Sequence, residues 1–180
     1  MASARKFFRL FKSFNEYHKI LQLLKAGGDQ FKLAINVLAR VGFLVYWFFD
    51  NLAILSKVKF LDFDVKRMTK LGSIAWLFAL VMGQISAAVA MSEVVAAETK
   101  LQGESKNDSD YKSKVAAINN KKFNAILDLI KNAGDMITAS HGAEVPQNLL
   151  GRQWNEGQIG AGGLTSAVIT CYKLYPAAKK

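Results

Sequence analysis

The chain has 180 residues, a formal charge of +10, 51% hydrophobic residues, two prolines and one cysteine. A lone Cys171 excludes a disulfide framework and a thiolate metal site, and His18 and His141 have no second ligand at a recognisable spacing, so no metal and no cofactor is expected. No stretch alternates with the period of two that strands need, which excludes a sheet and predicts an all-α chain.

The basic surplus is concentrated at the start. Over residues 4–25, Phe7, Leu10, Phe11, Phe14, Tyr17, Leu21 and Leu24 recur at three- and four-residue steps. Arg5, Lys6, Arg9 and Lys12 take other angles, and Phe8 adds a further ring. This pattern predicts a basic amphipathic helix lying in the headgroup plane, with the aromatic side in lipid and the basic side on anionic phospholipid. Because the cations alternate with large apolar residues beside membrane segments, a lipid or acidic protein surface is expected as partner and no nucleic acid. Gly27 and Gly28 are expected to end the helix.

Two apolar runs follow, at 33–55 and 72–91, each about the length that crosses a hydrocarbon core of about 30 Å. From Val41 to Phe49 the first run has no polar side chain apart from the Tyr46 hydroxyl. Arg40, Asp50, Asn51 and Gln84 are the intramembrane polar candidates, and Asp50 in particular needs a partner or water. The basic, Phe-containing stretch 56–70 between the runs suggests a segment on the membrane surface. Residues 98–114 are poor in apolar positions and read as a polar linker, after which 115–137 returns to amphipathic helical periodicity and 138–158 is turn-rich.

The last element, 159–175, is a short apolar helix and a third span candidate. Gly160, Gly162, Gly163, Ser166 and Ala167 concentrate small residues on it, and Gly163-xxx-Ala167 fits the small-xxx-small pattern of packed membrane helices. The expected partner is the strip Ala75, Ala79, Gly83, Ala87 and Ala90 of the second span, or the same helix of a second copy. Together these elements read as one membrane domain over 1–180: an integral helical bundle with two or three transmembrane helices and interfacial amphipathic ones.

Three stretches in this order, RVGFLVYWFFDNLAIL, KRMTKLGSIAWLFALVMGQI, and LDLIKNAGDMI followed by GQIGAGGLTSAVITCYKLYP, resemble the peroxin-eleven family of peroxisomal membrane proteins. The likeness covers nearly the whole chain. Family members generally carry further residues ahead of this point, so the resemblance is to a member shortened at the N-terminus. It implies a peroxisomal membrane protein, with no enzymatic activity, that promotes elongation and division through helix insertion and homo-oligomerisation. The residues alone leave two other readings open. One is an accessory subunit of a larger complex in the mitochondrial inner membrane, suggested by the Arg- and Phe-rich start. The other is a pore or carrier built on Arg40, Asp50, Asn51 and Gln84.

Overall fold

The computed structural model describes residues 9–102 and 110–175. Its helices are α1 (Lys12–Ala26), α2 (Gln30–Lys57), α3 (Val65–Gln102), α4 (Tyr111–Gly142), α5 (Val145–Leu150) and α6 (Glu156–Leu174), and no strand occurs among the described residues. Of these, α2 and α3 are long and apolar enough to cross a membrane.

Local chemistry sets the boundaries. Gly27 and Gly28 take φ of 63° and 113° after Ala26, in the left-handed region that costs glycine little, and so end α1. Asp29 caps α2 by accepting from the Lys32 amide at 2.9 Å, and Asp64 accepts from the Lys66 amide at 2.8 Å ahead of α3. A capping box starts α6: Asn155 Oδ1 accepts from the Gln158 amide at 2.8 Å, and Gln158 Oε1 accepts from the Asn155 amide at 3.0 Å.

Several expected boundaries move. Within the expected helix of 4–25, Arg9 to Phe11 form a turn in which Phe11 has a φ of 68°, and the described helix begins at Lys12. The second apolar run lies inside a helix of 38 residues that continues through Glu93 and Glu98 to Gln102, and α4 starts at Tyr111, so both flanks of the expected 98–114 linker are helical. Residues 103–109 lie outside the described residues. The turn-rich stretch 138–158 is largely helical too, since α4 continues to Gly142 and Pro146 falls in the first turn of α5, where its missing amide is no loss.

The helices pack as a row, α1 on α2, α2 on α3, α3 on α4 and α4 on α6, with α5 against α4. Neighbouring long helices run antiparallel. Lys32 pairs with Glu93, Gly42 meets Ala79 and Gly72 meets Phe49, so one end of α2 faces the far end of α3. In the same sense Ser73 faces Gly142 while Glu98 pairs with Lys122 at 2.8 Å across α3 and α4.

A single row has little interior: much of what is buried is alanine, Ala39, Ala53, Ala79, Ala87, Ala125, Ala139 and Ala143, beside Ile35, Ile54, Val94, Leu101 and Ile169, and among the described residues Leu80 is the largest side chain fully removed from solvent. Close backbone approach through Gly and Ala is what holds helices together where lipid tails are as apolar as leucine. At Gly42 an added Cβ would stand 2.9 Å from Ala79 Cβ and 3.1 Å from the Ala75 carbonyl, so the α2 and α3 backbones are as near as they can be.

Candidate membrane-engaging and helix-packing surfaces

Three sides of α1 do three things. Glu16, 6% exposed, faces α2, where its carboxylate accepts from the Arg40 guanidinium at 3.2 Å and from Lys19 Nζ at 2.7 Å. A carboxylate this buried is costly without such partners. One turn earlier Lys12 Nζ lies 4.6 Å from the centre of the Trp47 ring, with the Arg9 guanidinium at 5.9 Å, both within cation–π range. Phe11, Phe14, Tyr17 and Leu24 meanwhile point outward, Phe11 and Phe14 being 68% and 66% exposed. Asn15, His18, Lys19, Gln22 and Lys25 form the remaining, polar exposed side.

In this geometry α1 is packed on a neighbouring helix instead of standing apart from the bundle. Because Lys12 reaches Trp47, Glu16 reaches Arg40, and Ala26 is joined to Gln30 by a short turn, α1 stands antiparallel along about the first two thirds of α2. Its 15 residues make it about 22 Å long at about 1.5 Å per residue. Arg5, Lys6, Phe7 and Phe8 lie outside the described residues. Of the expected lipid-facing set, Phe11 and Phe14 are exposed, while Arg9 and Lys12 are drawn to the Trp47 ring.

The intramembrane polar candidates separate. Arg40 is held by Glu16. Gln84 Nε2 donates to the Leu129 carbonyl at 3.2 Å and ties α3 to α4. Asp50 stands one turn on from Tyr46, whose ring stacks on Trp76 at 5.2 Å. Asn51 Oδ1 is buried with no hydrogen-bond partner among the described residues.

The small residues of α6 resolve to a line one position away from the expected motif. Gly162, Ser166 and Ile169 are buried at four- and three-residue steps, whereas Gly160 and Ala167 are exposed and a Cβ at Gly163 would meet nothing within 4 Å. The contacting motif is therefore Gly162-xxx-Ser166, and Gly163-xxx-Ala167 stays open. Within the chain the partner is not the second span: α6 crosses α4, where a Cβ on Gly162 would stand 2.6 Å from the Gly134 carbonyl and a Cβ on Gly134 would stand 2.6 Å from that of Gly162. Lys173 with Asp128 at 2.6 Å, and the Tyr172 ring edge-on to Phe123 at 5.9 Å, seat the far end.

At the end of the bundle formed by the α2–α3 loop and α5, Lys70 pairs with Glu144 at 2.5 Å. Phe60 and Phe63 in the loop and Leu149 and Leu150 in α5 are exposed there, amid Lys57, Lys59, Lys66, Arg67 and Arg152. Aromatic and aliphatic groups interleaved with cations suit a membrane interface. The sequence signalled the loop but not α5, whose two leucines stand in a stretch too short to show periodicity.

Comparison with known proteins gives the following. The family model for peroxisomal biogenesis factor 11 (PEX11) matches residues 1–175. The chain is similar to the peroxisomal membrane protein 11 homolog of Dictyostelium discoideum, at 27% identity over 195 residues that take in 97% of this chain and 74% of that protein. No solved structure matches.

Proposed function

Since the chain belongs to the peroxisomal biogenesis factor 11 family, we propose that this protein of the peroxisomal membrane promotes membrane elongation and division mechanically, by being wider in one leaflet than in the other. The observation that carries this reading is the placement of α1. Its described residues lie beside α2 from the Gln30 end to Trp47, about the first two thirds of that helix, with the aromatic side turned outward. A helix with its side chains is about 10 Å across. Among the described residues the row is thus wider by most of one helix in the leaflet that holds Lys32 and Arg40, and α6 extends from its Gly162 crossing toward the same side. Lipid that packs around such a wedge bends away from the wider leaflet.

Binding precedes bending. Basic residues near an anionic surface contribute about 1 kcal/mol each, and the exposed Lys19 and Lys25 of α1 supply part of this where the polar side meets headgroups. Association of several copies concentrates the effect, and the open Gly160, Gly163 and Ala167 side of α6 is the surface available to a second copy. No step in this mechanism makes or breaks a covalent bond.

The test uses the full chain reconstituted into vesicles of phosphatidylcholine with a minority of phosphatidylglycerol, imaged by electron cryomicroscopy. The wild-type chain is expected to draw tubules, and replacing Phe11, Phe14 and Tyr17 together by serine is expected to leave the vesicles spherical at equal protein density. Tubulation that survives this replacement would overturn the wedge.

A further inference from the structure

Between α3 and α4 lies a groove of about 440 Å³, a volume within the range of small-molecule pockets. It exists because the side chains along this contact are short: Val94 and Ala125, both buried, form its floor together with Ala97. Along α3 it runs from Ala90 to Ala97, about 10 Å at about 1.5 Å per residue. This places it at the border of the hydrocarbon. The apolar run of α3 ends at Met91, that of α2 begins at Leu33, and Lys32 pairs with Glu93 just beyond both. The Ala90 end of the groove therefore meets acyl chains, and the Ala97 end meets headgroups and water.

Opposite charges face each other across it. The antiparallel register that sets Gly83 against Asn132 brings Glu93 level with Lys121 and Lys122. Lys122 is taken by Glu98 at 2.8 Å, whereas Lys121, exposed on the rim of the groove, has no ion pair among the described residues. Glu93 meets Lys32 through Oε1, and its side chain is 53% exposed, so Oε2 is open to a further donor. Beside Lys121, the Asn120 Oδ1 accepts from Asn124 at 2.9 Å, which leaves the Asn120 amide N–H groups to donate elsewhere.

A cation and an amide donor on one rim suit a phosphodiester, and a carboxylate oxygen on the facing rim suits an ammonium. From this we infer that the groove seats the headgroup of a phospholipid with a primary ammonium, phosphatidylethanolamine. Its phosphate rests on Lys121 Nζ and Asn120 Nδ2, its ammonium donates to Glu93 Oε2, and its acyl chains leave past Ala90 into the leaflet. The headgroup then lies across the groove, parallel to the membrane. Asp128 offers another carboxylate on the rim, but it stands about 10 Å deeper than Lys121 and is engaged by Lys173, so an ammonium held there would turn the headgroup into the hydrocarbon. A choline headgroup fits less well. Its quaternary ammonium has no N–H for Glu93, and among the described residues no aromatic ring lines the groove to hold it by cation–π attraction. A glycerol headgroup brings no cation to Glu93 at all. This site does not depend on the wedge action of α1.

The experiment is native mass spectrometry of the full chain in detergent micelles, with an equimolar mixture of dioleoyl phosphatidylethanolamine, phosphatidylcholine and phosphatidylglycerol. The wild-type chain is expected to retain one phosphatidylethanolamine about tenfold over either of the others, the worth of one hydrogen bond to a charged group. Lys121→Gln is expected to lower that retention about tenfold. Glu93→Gln is expected to abolish the preference for ethanolamine over choline. Lys112→Gln, the same change of charge at an exposed lysine of α4 outside the groove, is expected to leave both unchanged, all variants being compared at equal helicity. Water-soluble glycerophosphoethanolamine at equal concentration is expected not to displace the lipid; displacement would mean a site for the free headgroup and would overturn the inference. Equal retention of the three lipids by the wild-type chain, retention of none, or a preference that survives Lys121→Gln or is lost equally in Lys112→Gln, would also overturn it.

Discussion

The crossing of α6 on α4 permits a comparison between two adjacent glycines. At Gly162 an added Cβ would meet the Gly134 carbonyl oxygen at 2.6 Å and Ile137 Cβ at 3.2 Å, whereas at Gly163 it would meet nothing within 4 Å. A carbon and a carbonyl oxygen rest at about 3.3–3.6 Å, so Gly162→Ala must push the two backbones apart by the better part of an ångström along a contact that has no flexible side chain to yield. Overfilling of this kind costs about 1–3 kcal/mol. Both glycines are inside the same helix, where alanine is favoured over glycine by about 1 kcal/mol. That gain is common to both variants and cancels in their difference, which isolates the clash. Gly163→Ala is therefore expected to stabilise the chain by up to about 1 kcal/mol, and Gly162→Ala to leave it about 1–3 kcal/mol less stable than Gly163→Ala. Unfolding of the full chain in mixed micelles of dodecylmaltoside with increasing dodecyl sulfate, followed by circular dichroism, measures both. Variants of equal stability, or Gly163→Ala as the weaker, would refute the assignment of Gly162-xxx-Ser166 as the packed line.

The other contacts give smaller and separable effects. Glu16→Ala is expected to loosen α1 from α2 by about 1–3 kcal/mol, because it leaves Arg40 without its carboxylate, and amide hydrogen exchange should rise over 12–26 but not within α3. Gln84→Leu removes the side-chain link from α3 to the Leu129 carbonyl and should cost about 0.6 kcal/mol in the same micelle titration, the usual worth of one interhelical hydrogen bond in a membrane. Asn155→Ala takes away the capping box of α6 and should cost about 1 kcal/mol, with exchange rising first in the amides of residues 156–158.

Much of the fold is legible in the residues because the apolar runs are long. Val41 to Phe49 admits no reading but a buried or lipid-facing helix, and Gly27 with Gly28 ends α1 where the pattern says it should. What the pattern cannot give is which side of a helix meets a neighbour. On α1 the outward stripe of Phe14, Tyr17 and Leu24 follows from periodicity alone, but that Glu16 faces inward depends on Arg40, twenty-four residues away. On α6 two small-residue lines stand one position apart, and only the approach of Gly134 selects between them. The hydrogen bond from Ser86 to Asn36 is the hardest to foresee: fifty residues apart, the two look like isolated tolerable polar groups until the antiparallel register of α2 and α3 brings them to 2.9 Å.

The account rests most heavily on α1 standing along α2 within one leaflet, and the depth of its residues in a bilayer tests that most directly. Single nitroxide labels at positions 14, 17, 21 and 24, placed in a Cys171→Ser background and reconstituted in phosphatidylcholine with phosphatidylglycerol, report depth through the ratio of collisions with oxygen to those with a water-soluble nickel chelate. An upright helix predicts a gradient, deepest at 14 and shallowest at 24, rising by about 1.5 Å per residue. A common shallow depth at all four positions would mean a helix lying flat in the headgroups and would contradict the account.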